Sequence, residues 1–234
     1  MTFERTKKYD RKFLNENMMG PNSILILEEL INDFPLEKGM RVLDLGCGRG
    51  LTSIFLAKEY GVQVFALDLW IEATDNYKRF KVMGLENEII PIHADALNMP
   101  FADGFFDAVI SVDSYHYFGN NDTFFREKVK PLIKDGGAFA FAFPGMKKEI
   151  HFDVPKDMKE FWPEEALPMW QCAEWWKDKI EKDCSEFRVW EAQCFEQAWK
   201  DWLSTDNPYA KDDIAMMEAD GGRYMNIIAM TGKV

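Results

Sequence analysis

The sequence has no run of about 18 apolar residues, the length that a membrane-spanning helix needs. Its first eight residues also lack the apolar core of a secretory signal peptide. These absences argue against an integral membrane protein and against a secreted one. We therefore expect a cytoplasmic protein.

Basic residues are scarce relative to acidic ones. The chain has 28 lysines and arginines against 40 aspartates and glutamates, which gives a net charge of −12. Nucleic acids and anionic membranes are bound through clustered lysine and arginine side chains. The charge balance therefore argues against a nucleic acid or a membrane as a partner.

Cysteine and histidine are also scarce, with four and three residues respectively. The cysteines form no C-x-x-C pair, so we expect free thiols at Cys47, Cys172, Cys184 and Cys194. His93 is expected to pack beside a strand. In a strand, Glu149, His151 and Asp153 would share one face, but no further ligand set accompanies them and we expect no metal site.

What the sequence does contain is a glycine-rich turn between two acids. Residues 42–50 read Val-Leu-Asp-Leu-Gly-Cys-Gly-Arg-Gly, and Asp68 ends the next apolar run. Glycines in a tight turn let backbone amides approach a ligand closely. A carboxylate at the tip of the next strand can accept hydrogen bonds from both hydroxyls of a ribose. The pattern indicates a nucleoside-binding α/β domain.

The details of this turn disfavour a dinucleotide. The dinucleotide fingerprint G-x-G-x-x-G needs a glycine at position 51, where this sequence has Leu51. Asp44, just before the turn, would repel a phosphate but attract an ammonium or a sulfonium. An adenosine with a cationic amino-acid tail therefore fits better than a diphosphate.

These residues resemble a motif of class I S-adenosylmethionine-dependent methyltransferases of the small-molecule type. In that family an acid precedes G-x-G-x-G and a second acid closes the second strand, as do Asp44, Gly46, Gly48, Gly50 and Asp68. Further matches follow in order at 93–96 with 99–101, at 106–111 and at 134–137. The resemblance spans about residues 35–145 and implies S-adenosyl-L-methionine as the cofactor.

Strand-like runs alternate with helical patterns, which predicts a parallel α/β sheet with right-handed crossovers. The resemblance implies a doubly wound, mostly parallel, seven-stranded Rossmann-like sheet with an antiparallel edge strand near the end. We expect a helical cap at 1–35, a cofactor-binding core at 36–145, and an aromatic-rich helical insertion with the closing strands at 146–234. The predicted strands are 41–45, 62–67, 88–91, 108–112, 138–143, 187–190 and 224–230. The predicted helices are 9–35, 51–60, 72–83, 121–133, 168–183 and 194–203.

The resemblance also implies roles for residues at the adenosine end of the cofactor. Asp68 is expected to bind the ribose hydroxyls, and Leu69 and Trp70 to flank the adenine. Asp95 and Ala96 match the family positions that accept from the adenine amino group and donate to a ring nitrogen.

Other residues are assigned in the same way to the methionine end. Asp44 is expected to hold the ammonium, directly or through water. Gly46 and Gly48 allow close backbone approach. Val112 ends the fourth strand, and residues 112–118 face the sulfonium methyl in this fold.

His116, in that segment, is the candidate general base, because the usual pKa of histidine near 6.5 suits proton removal from an acceptor. The alternative is a structural or cofactor-contacting imidazole. Tyr115, a second catalytic candidate, and Tyr117 would orient the acceptor or shape the cavity. Asp113 would hold a cationic substrate or the ammonium, or cap a turn.

Seven of the eight tryptophans lie between Trp162 and Trp202. They either bury against the sheet and one another, or wall a substrate pocket and stack on a cationic acceptor.

The sequence thus predicts a methyltransferase that acts on a small-molecule acceptor, as a monomer or a homodimer. One alternative is a cyclopropane-forming or related transferase, although the glutamate typical of that family is missing beside His116. The other alternative is a non-enzymatic S-adenosylmethionine-binding regulator.

Overall fold

The computed structural model describes residues 2–234 and contains one seven-stranded sheet. The strands are β1 Arg41–Leu45, β2 Gln63–Asp68, β3 Ile89–His93, β4 Phe106–Val112, β5 Ile133–Met146, β6 Glu186–Glu191 and β7 Met225–Lys233. They lie in the order β3-β2-β1-β4-β5-β7-β6, and β1 to β5 pair in parallel. The predicted doubly wound, mostly parallel α/β sheet is confirmed.

The last strand corrects one detail of the prediction. β7 is antiparallel to β5 and to β6, so it is inserted between them and is not an edge strand. Its residues are buried on both faces from Met225 to Met230, as its continuous apolar run requires. The edge is formed by β6, which is only partly buried.

Helices connect most of the strands. They are α1 Arg11–Asn17, α2 Ser23–Leu30, α3 Leu51–Tyr60, α4 Ala73–Val82, α5 Ala173–Ile180, α6 Phe195–Leu203 and α7 Pro208–Asp220. The helix predicted over 9–35 is split in two, because Asp10 caps α1 and Asn22 caps α2 on either side of a Gly20-Pro21 turn. The helix predicted over 121–133 is reduced to a π-helical turn, Phe125–Val129, and a 3-10 turn, Lys130–Leu132.

Two hydrophobic clusters cover the two faces of the sheet. The alternation along β5 shows this, since Ala140 and Ala142 belong to one cluster and Phe139, Phe141 and Phe143 to the other. The first cluster also takes in α2, α3 and α6, and the second takes in α5.

The fold determines where a ligand can bind. β1 lies beside both β2 and β4, and the connections leave it in opposite directions along the sheet. In open α/β sheets, ligands bind at the carboxyl ends of the strands at such a switch point. In the described part of the chain, no helix is both long and apolar enough to span a bilayer.

Candidate active site

The glycine turn after β1 adopts a conformation that suits glycine. Gly46, Gly48 and Gly50 have φ values of 74°, 53° and 78°, a region that residues with a Cβ rarely occupy. A Cβ on Gly46 would lie 2.1 Å from Ser114 Oγ, and a Cβ on Gly48 would lie 3.1 Å from Met19 Sδ. The backbone here is therefore open to a ligand only because side chains are missing.

Three hydrogen bonds to two partners hold this turn. The amides of Gly46 and Cys47 donate to the Leu67 carbonyl at 2.8 and 3.0 Å. The Gly48 carbonyl accepts from Asn76 Nδ2 at 2.9 Å. The turn is thus fixed in the absence of ligand, which lowers the entropic cost of binding one.

Asp68 ends β2 and is oriented by the backbone around it. Its Oδ2 accepts from the Gly48 amide at 2.8 Å, and its Oδ1 accepts from the amides of Trp70 and Ile71 at 2.8 and 2.9 Å. A carboxylate has about four acceptor positions, so at least one remains for a ribose hydroxyl. Asp68 lines the cavity, as predicted.

Asp44 lies elsewhere than the sequence predicts. It is fully buried and does not line the cavity; its Oδ2 accepts from the hydroxyls of Thr52 and Ser53, each at 2.6 Å. These bonds join β1 to the first turn of α3. Burial raises the pKa of Asp44 to about 6, although both hydroxyls oppose the rise. Its Oδ1 is buried without a hydrogen-bond partner within residues 2–234, so the role of Asp44 at the ammonium, directly or through water, stays a prediction.

Two leucines line the cavity together with Asp95, and we call this part of the cavity the slot. Leu69 and Leu97 are 51% and 49% exposed, and both line the cavity. Asp95 beside them accepts from the Leu97 amide at 2.8 Å through Oδ1, which leaves Oδ2 for an amino group. Ala96 and Trp70 also line the cavity, and Trp70 is 66% exposed at its mouth. The slot therefore has apolar walls and one acidic end.

The cavity that joins these groups has a volume of about 350 Å³, within the range of small-molecule sites. Part of its wall comes from the N-terminal region, namely Asn17, Met19, Gly20, Pro21 and Ser23. Arg49 on the glycine turn donates to the Glu16 carbonyl at 2.7 Å. The region around α1 and α2 therefore covers the turn, as the sequence predicts.

Comparison with known proteins agrees with this geometry. Residues 42–137 match the family described as "Methyltransferase domain". The structure of phosphoethanolamine N-methyltransferase 2 from Haemonchus contortus, in complex with S-adenosyl-L-methionine, matches 99% of this chain and 59% of that chain at a TM-score of 0.75 and 19% identity. The sequence match is thus confined to residues 42–137, and the structural match at 19% identity shows a shared fold.

Curated relatives are similar to part of this chain. Norajmaline N-methyltransferase of Rauvolfia serpentina is 35% identical over 101 residues, covering 43% of this chain and 35% of that enzyme. Fatty-acid O-methyltransferase of Mycolicibacterium smegmatis is 34% identical over 121 residues, covering 51% of this chain and 41% of that enzyme. The matches thus span less than half the length of these relatives.

The segment after β4 forms the other wall of the cavity. Val112, Asp113, Ser114, Tyr117 and Phe118 line it. Residues Tyr115–Tyr117 form a 3-10 turn, in which side chains three positions apart lie on the same side. Ser114 and Tyr117 therefore face the cavity together, while the two residues between them do not.

This geometry corrects the prediction for Tyr115. The side chain is fully buried in the aromatic cluster on the opposite face of the sheet, stacked 4.2 Å from the ring of Phe141. It does not line the cavity, and its hydroxyl is buried without a hydrogen-bond partner within residues 2–234. Tyr115 is a packing residue rather than a residue that contacts substrate.

His116 is likewise turned away from the cavity. It is 2% exposed, and its ring lies 4.1 Å from that of Tyr117 and 5.9 Å from that of Phe143. Burial lowers its pKa to about 3, because the charged imidazolium is poorly solvated there. A group with this pKa is a weak base near neutral pH, so the structure favours the alternative of a structural imidazole.

The remaining predicted residues have structural contacts. His93 contacts the Leu69 carbonyl through Nε2 at 2.8 Å and so supports the adenine side of the cavity. His151 lies in a turn rather than a strand, with its ring nitrogens on the Glu149 carboxylate and the Leu167 carbonyl. Among residues 2–234, no three His, Cys, Asp or Glu side chains are grouped as metal ligands. All four cysteines are free.

The tryptophan-rich segment packs the core. Trp162, Trp176 and Trp202 are fully buried. Within the described chain, none of the seven tryptophans from 162 to 202 lines this cavity, whereas Trp70 does. Burial is therefore the better of the two interpretations for that segment.

Sequence reasoning missed several residues that shape the site. Ser111 and Ser114 donate to the Leu45 carbonyl at 2.7 and 2.8 Å and join the end of β4 to the glycine turn. Asn76 and Leu97 were also missed. For the two serines, the only signal in the sequence was their place as small polar residues at the end of an apolar strand. For Leu97, the only signal was its place shortly after Asp95.

Proposed function

We propose that the protein is an S-adenosyl-L-methionine-dependent methyltransferase that acts on a small-molecule acceptor. The observation that carries the proposal is a cavity in which a fixed glycine turn, the Asp68 carboxylate and a leucine-walled slot converge. This arrangement fits a nucleoside whose tail carries no phosphate.

The residues present fit the cofactor part by part. Asp68 would hold the ribose, Leu69 and Leu97 would enclose the adenine, and the free oxygen of Asp95 would accept from its amino group. The backbone of Gly46 and Gly48 would approach the methionine part, where a side chain would block access. The cofactor would supply a methyl group bound to a positively charged sulfur. The leaving group is then a neutral thioether, which leaves readily.

The residues of the chain then have three tasks. They place the acceptor in line with the methyl group about 3 Å away, exclude bulk water, and accept the acceptor's proton where one must leave. The wall from Val112 to Phe118 and the N-terminal cover around Gly20 enclose the space in which this occurs.

The relatives support the acceptor class. Their names include N-methyltransferases and an O-methyltransferase of small molecules. The net charge of −12 favours small molecules over nucleic acids or anionic membranes as partners. We also propose a cytoplasmic location and a monomer or homodimer.

The cofactor assignment is tested by calorimetry with S-adenosylmethionine, S-adenosylhomocysteine and NAD. The first two are expected to bind and NAD is not. Asp68→Ala should weaken binding about tenfold or more, since it removes a charged acceptor from the ribose. Binding of NAD alone, or equal affinity of Asp68→Ala and wild type, contradicts the assignment.

The enzymatic part needs a second experiment. The protein is incubated with methyl-labelled cofactor and a metabolite extract, and label is followed into the small-molecule fraction. Tight cofactor binding without any transfer would favour the regulator alternative. His116→Ala checks the general-base prediction, which the burial of this ring opposes. We expect turnover per folded molecule to stay at the wild-type level, so that any loss of activity matches the loss of folded protein.

A further inference from the structure

The end of β4 presents a carboxylate that nothing in the described chain neutralises. Asp113 lines the cavity, and its side chain is half-buried against the backbone of Gly20, where a Cβ would lie 2.0 Å from Asp113 Oδ2. Within residues 2–234, no donor lies within hydrogen-bonding distance of this carboxylate, in contrast to Asp68. Its backbone amide donates to the Ala142 carbonyl at 2.7 Å, which fixes its place at the strand end.

The backbone of Asp113 is also unusual. Its φ is 60°, the one positive value at a non-glycine residue in the described chain. Aspartate tolerates this conformation better than most residues, but the conformation still has a cost, and such residues concentrate at functional sites. The result is that the carboxylate points into the cavity from a rigid position.

The electrostatic surroundings of Asp113 are negative. Burial, and then the charge of Asp213 on α7, raise the pKa of Asp113 to about 8. Asp213 accepts from Trp202 Nε1 at 2.8 Å and so is held in place. The only basic side chain that lines the cavity in the described chain is Arg49, and it is engaged with the Glu16 carbonyl. At neutral pH Asp113 is therefore mostly protonated until a cation binds beside it and favours the carboxylate, whereas an anion is disfavoured.

Two aromatic rings stand beside this position. Tyr117 and Trp70 both line the cavity, are 47% and 66% exposed, and meet edge to face with centroids 5.5 Å apart. Exposed aromatic faces attract cations and cover apolar skeletons. A ligand with an ammonium group on an apolar or aromatic skeleton satisfies both the rings and the carboxylate.

We propose that the methyl acceptor is a protonated amine, bound through its nitrogen to Asp113 and through its carbon skeleton to Trp70 and Tyr117. This proposal rests on the methyltransferase function proposed above and narrows it to N-methylation. The competing occupant of Asp113 is the ammonium of the cofactor itself, and the experiment is designed to separate the two.

The chemistry balances without any additional reagent. The bound ammonium transfers one proton to the Asp113 carboxylate and becomes a neutral amine with a free lone pair. That lone pair forms the N–C bond while the S–C bond breaks, and the S–C electron pair stays on sulfur as a neutral thioether. The positive charge moves to the methylated nitrogen, which leaves as an ammonium. A neutral carboxyl in the cavity then returns its proton to solvent.

The test measures ligand binding by calorimetry on the full chain saturated with S-adenosylhomocysteine. The probes are primary and secondary amines on phenylethyl, indolylethyl and short alkyl skeletons, each beside the alcohol with the same skeleton. The variants are Asp113→Asn, which keeps the shape and tolerates positive φ, and Asp103→Asn, the same change at an exposed loop position.

We expect at least one amine to bind about tenfold more tightly than its alcohol. Asp113→Asn should remove this preference and leave the dissociation constant of S-adenosylhomocysteine unchanged, while Asp103→Asn should match wild type. The preferred amine should also accept label from methyl-labelled cofactor in the wild type and not in Asp113→Asn.

Three results would overturn the proposal. The first is that every amine binds no more tightly than its alcohol, or that neither binds. The second is that the preference for the amine persists in Asp113→Asn. The third is that Asp113→Asn loses as much affinity for S-adenosylhomocysteine as it loses for the amine. The third result would assign Asp113 to the cofactor's ammonium. Failure of the wild type to bind S-adenosylhomocysteine at all is a different result, because it removes the proposed function as well.

Discussion

Replacing Asp113 with asparagine should stabilise the ligand-free protein, although the residue lines the proposed active site. The folded-state pKa of Asp113, about 8, lies above its ordinary value of 3.8. Ionisation is therefore penalised only in the folded state: the cost is absent below about pH 4, grows as pH rises, and is complete above about pH 8. Asparagine removes that cost and keeps a side chain that tolerates the φ of 60°.

The size of the stabilisation follows from the gap between the ordinary pKa of aspartate and the folded-state pKa of Asp113. Each pH unit between the ordinary and the folded-state pKa costs about 1.4 kcal/mol, which gives an upper bound of about 4 kcal/mol at pH 7. Water reaches the half-buried carboxylate through the cavity, and screening reduces the expected gain to about 2 kcal/mol.

The assay is urea unfolding of wild type, Asp113→Asn and the exposed control Asp103→Asn at about pH 5 and about pH 8. The gain of Asp113→Asn should be larger at the higher pH, and the control should follow the wild type at both. A variant that is less stable than wild type at pH 8, or a gain that does not depend on pH, would refute the account of an unpaired carboxylate.

The other predictions concern the cofactor half of the site and the aromatic cluster. Gly46→Ala places a Cβ 2.1 Å from Ser114 Oγ at a φ of 74°, so calorimetry should show no S-adenosylhomocysteine binding, and unfolding should show a loss of about 1–3 kcal/mol; unchanged affinity would contradict the fixed turn. Leu97→Ala should weaken S-adenosylhomocysteine binding several-fold by removing one wall of the slot, with little effect on stability, since the side chain is 49% exposed. Tyr115→Phe removes a buried hydroxyl that has no partner and should stabilise the protein by about 1 kcal/mol with turnover unchanged; loss of turnover at retained stability would restore its predicted catalytic role.

The cofactor half of the site could be predicted because its chemistry is local. A strand that ends in a glycine turn, with an acid on the next strand, needs only sequence neighbours to be recognised. The positive φ values of Gly46 and Gly48 and the amide donated to Asp68 follow from that local geometry. The same locality explains why each of the seven predicted strands overlaps a strand of the structure.

The acceptor half of the site could not be predicted, because it depends on which side chains of a 3-10 turn face the cavity. Successive side chains of such a turn point in directions that differ by about one third of a full turn. In the 3-10 turn after β4, a step of one position moves a side chain from the cavity to the core. Sequence reasoning chose Tyr115 and His116 as the catalytic candidates and gave Tyr117 a role in orienting the acceptor or shaping the cavity, whereas the structure presents Ser114 and Tyr117 to the cavity. Nothing in the sequence distinguishes a 3-10 turn from an extended loop at this point.

The missed helix α7 has a different cause. Among its thirteen residues only Ala210, Met216 and Asp220 are buried, so it lacks the apolar periodicity by which helices are recognised. Its end signals were present, with Asn207 as the cap, Pro208 in the first turn and Gly221 after the last. These signals matter here because α7 carries Asp213, the charge that acts on Asp113.

Two aspartates at the ends of adjacent strands show why a motif alone does not assign a role. Asp44 on β1 belongs to the sequence motif, yet the hydroxyls of Thr52 and Ser53 occupy its Oδ2 and hold it beneath the cavity. Asp113, directly after β4, belongs to no motif, yet its carboxylate lines the cavity and accepts no hydrogen bond within the described chain. A carboxylate oxygen that the protein itself satisfies, such as Oδ2 of Asp44, contributes to the stability of the turn, whereas an oxygen without a donor, such as the buried Oδ1 of Asp44 or the carboxylate of Asp113, is stabilised only when a ligand or a water supplies the donor. By this criterion we expect the glycine-turn motif to maintain the proposed cofactor site, and the residues after β4 to select the proposed acceptor.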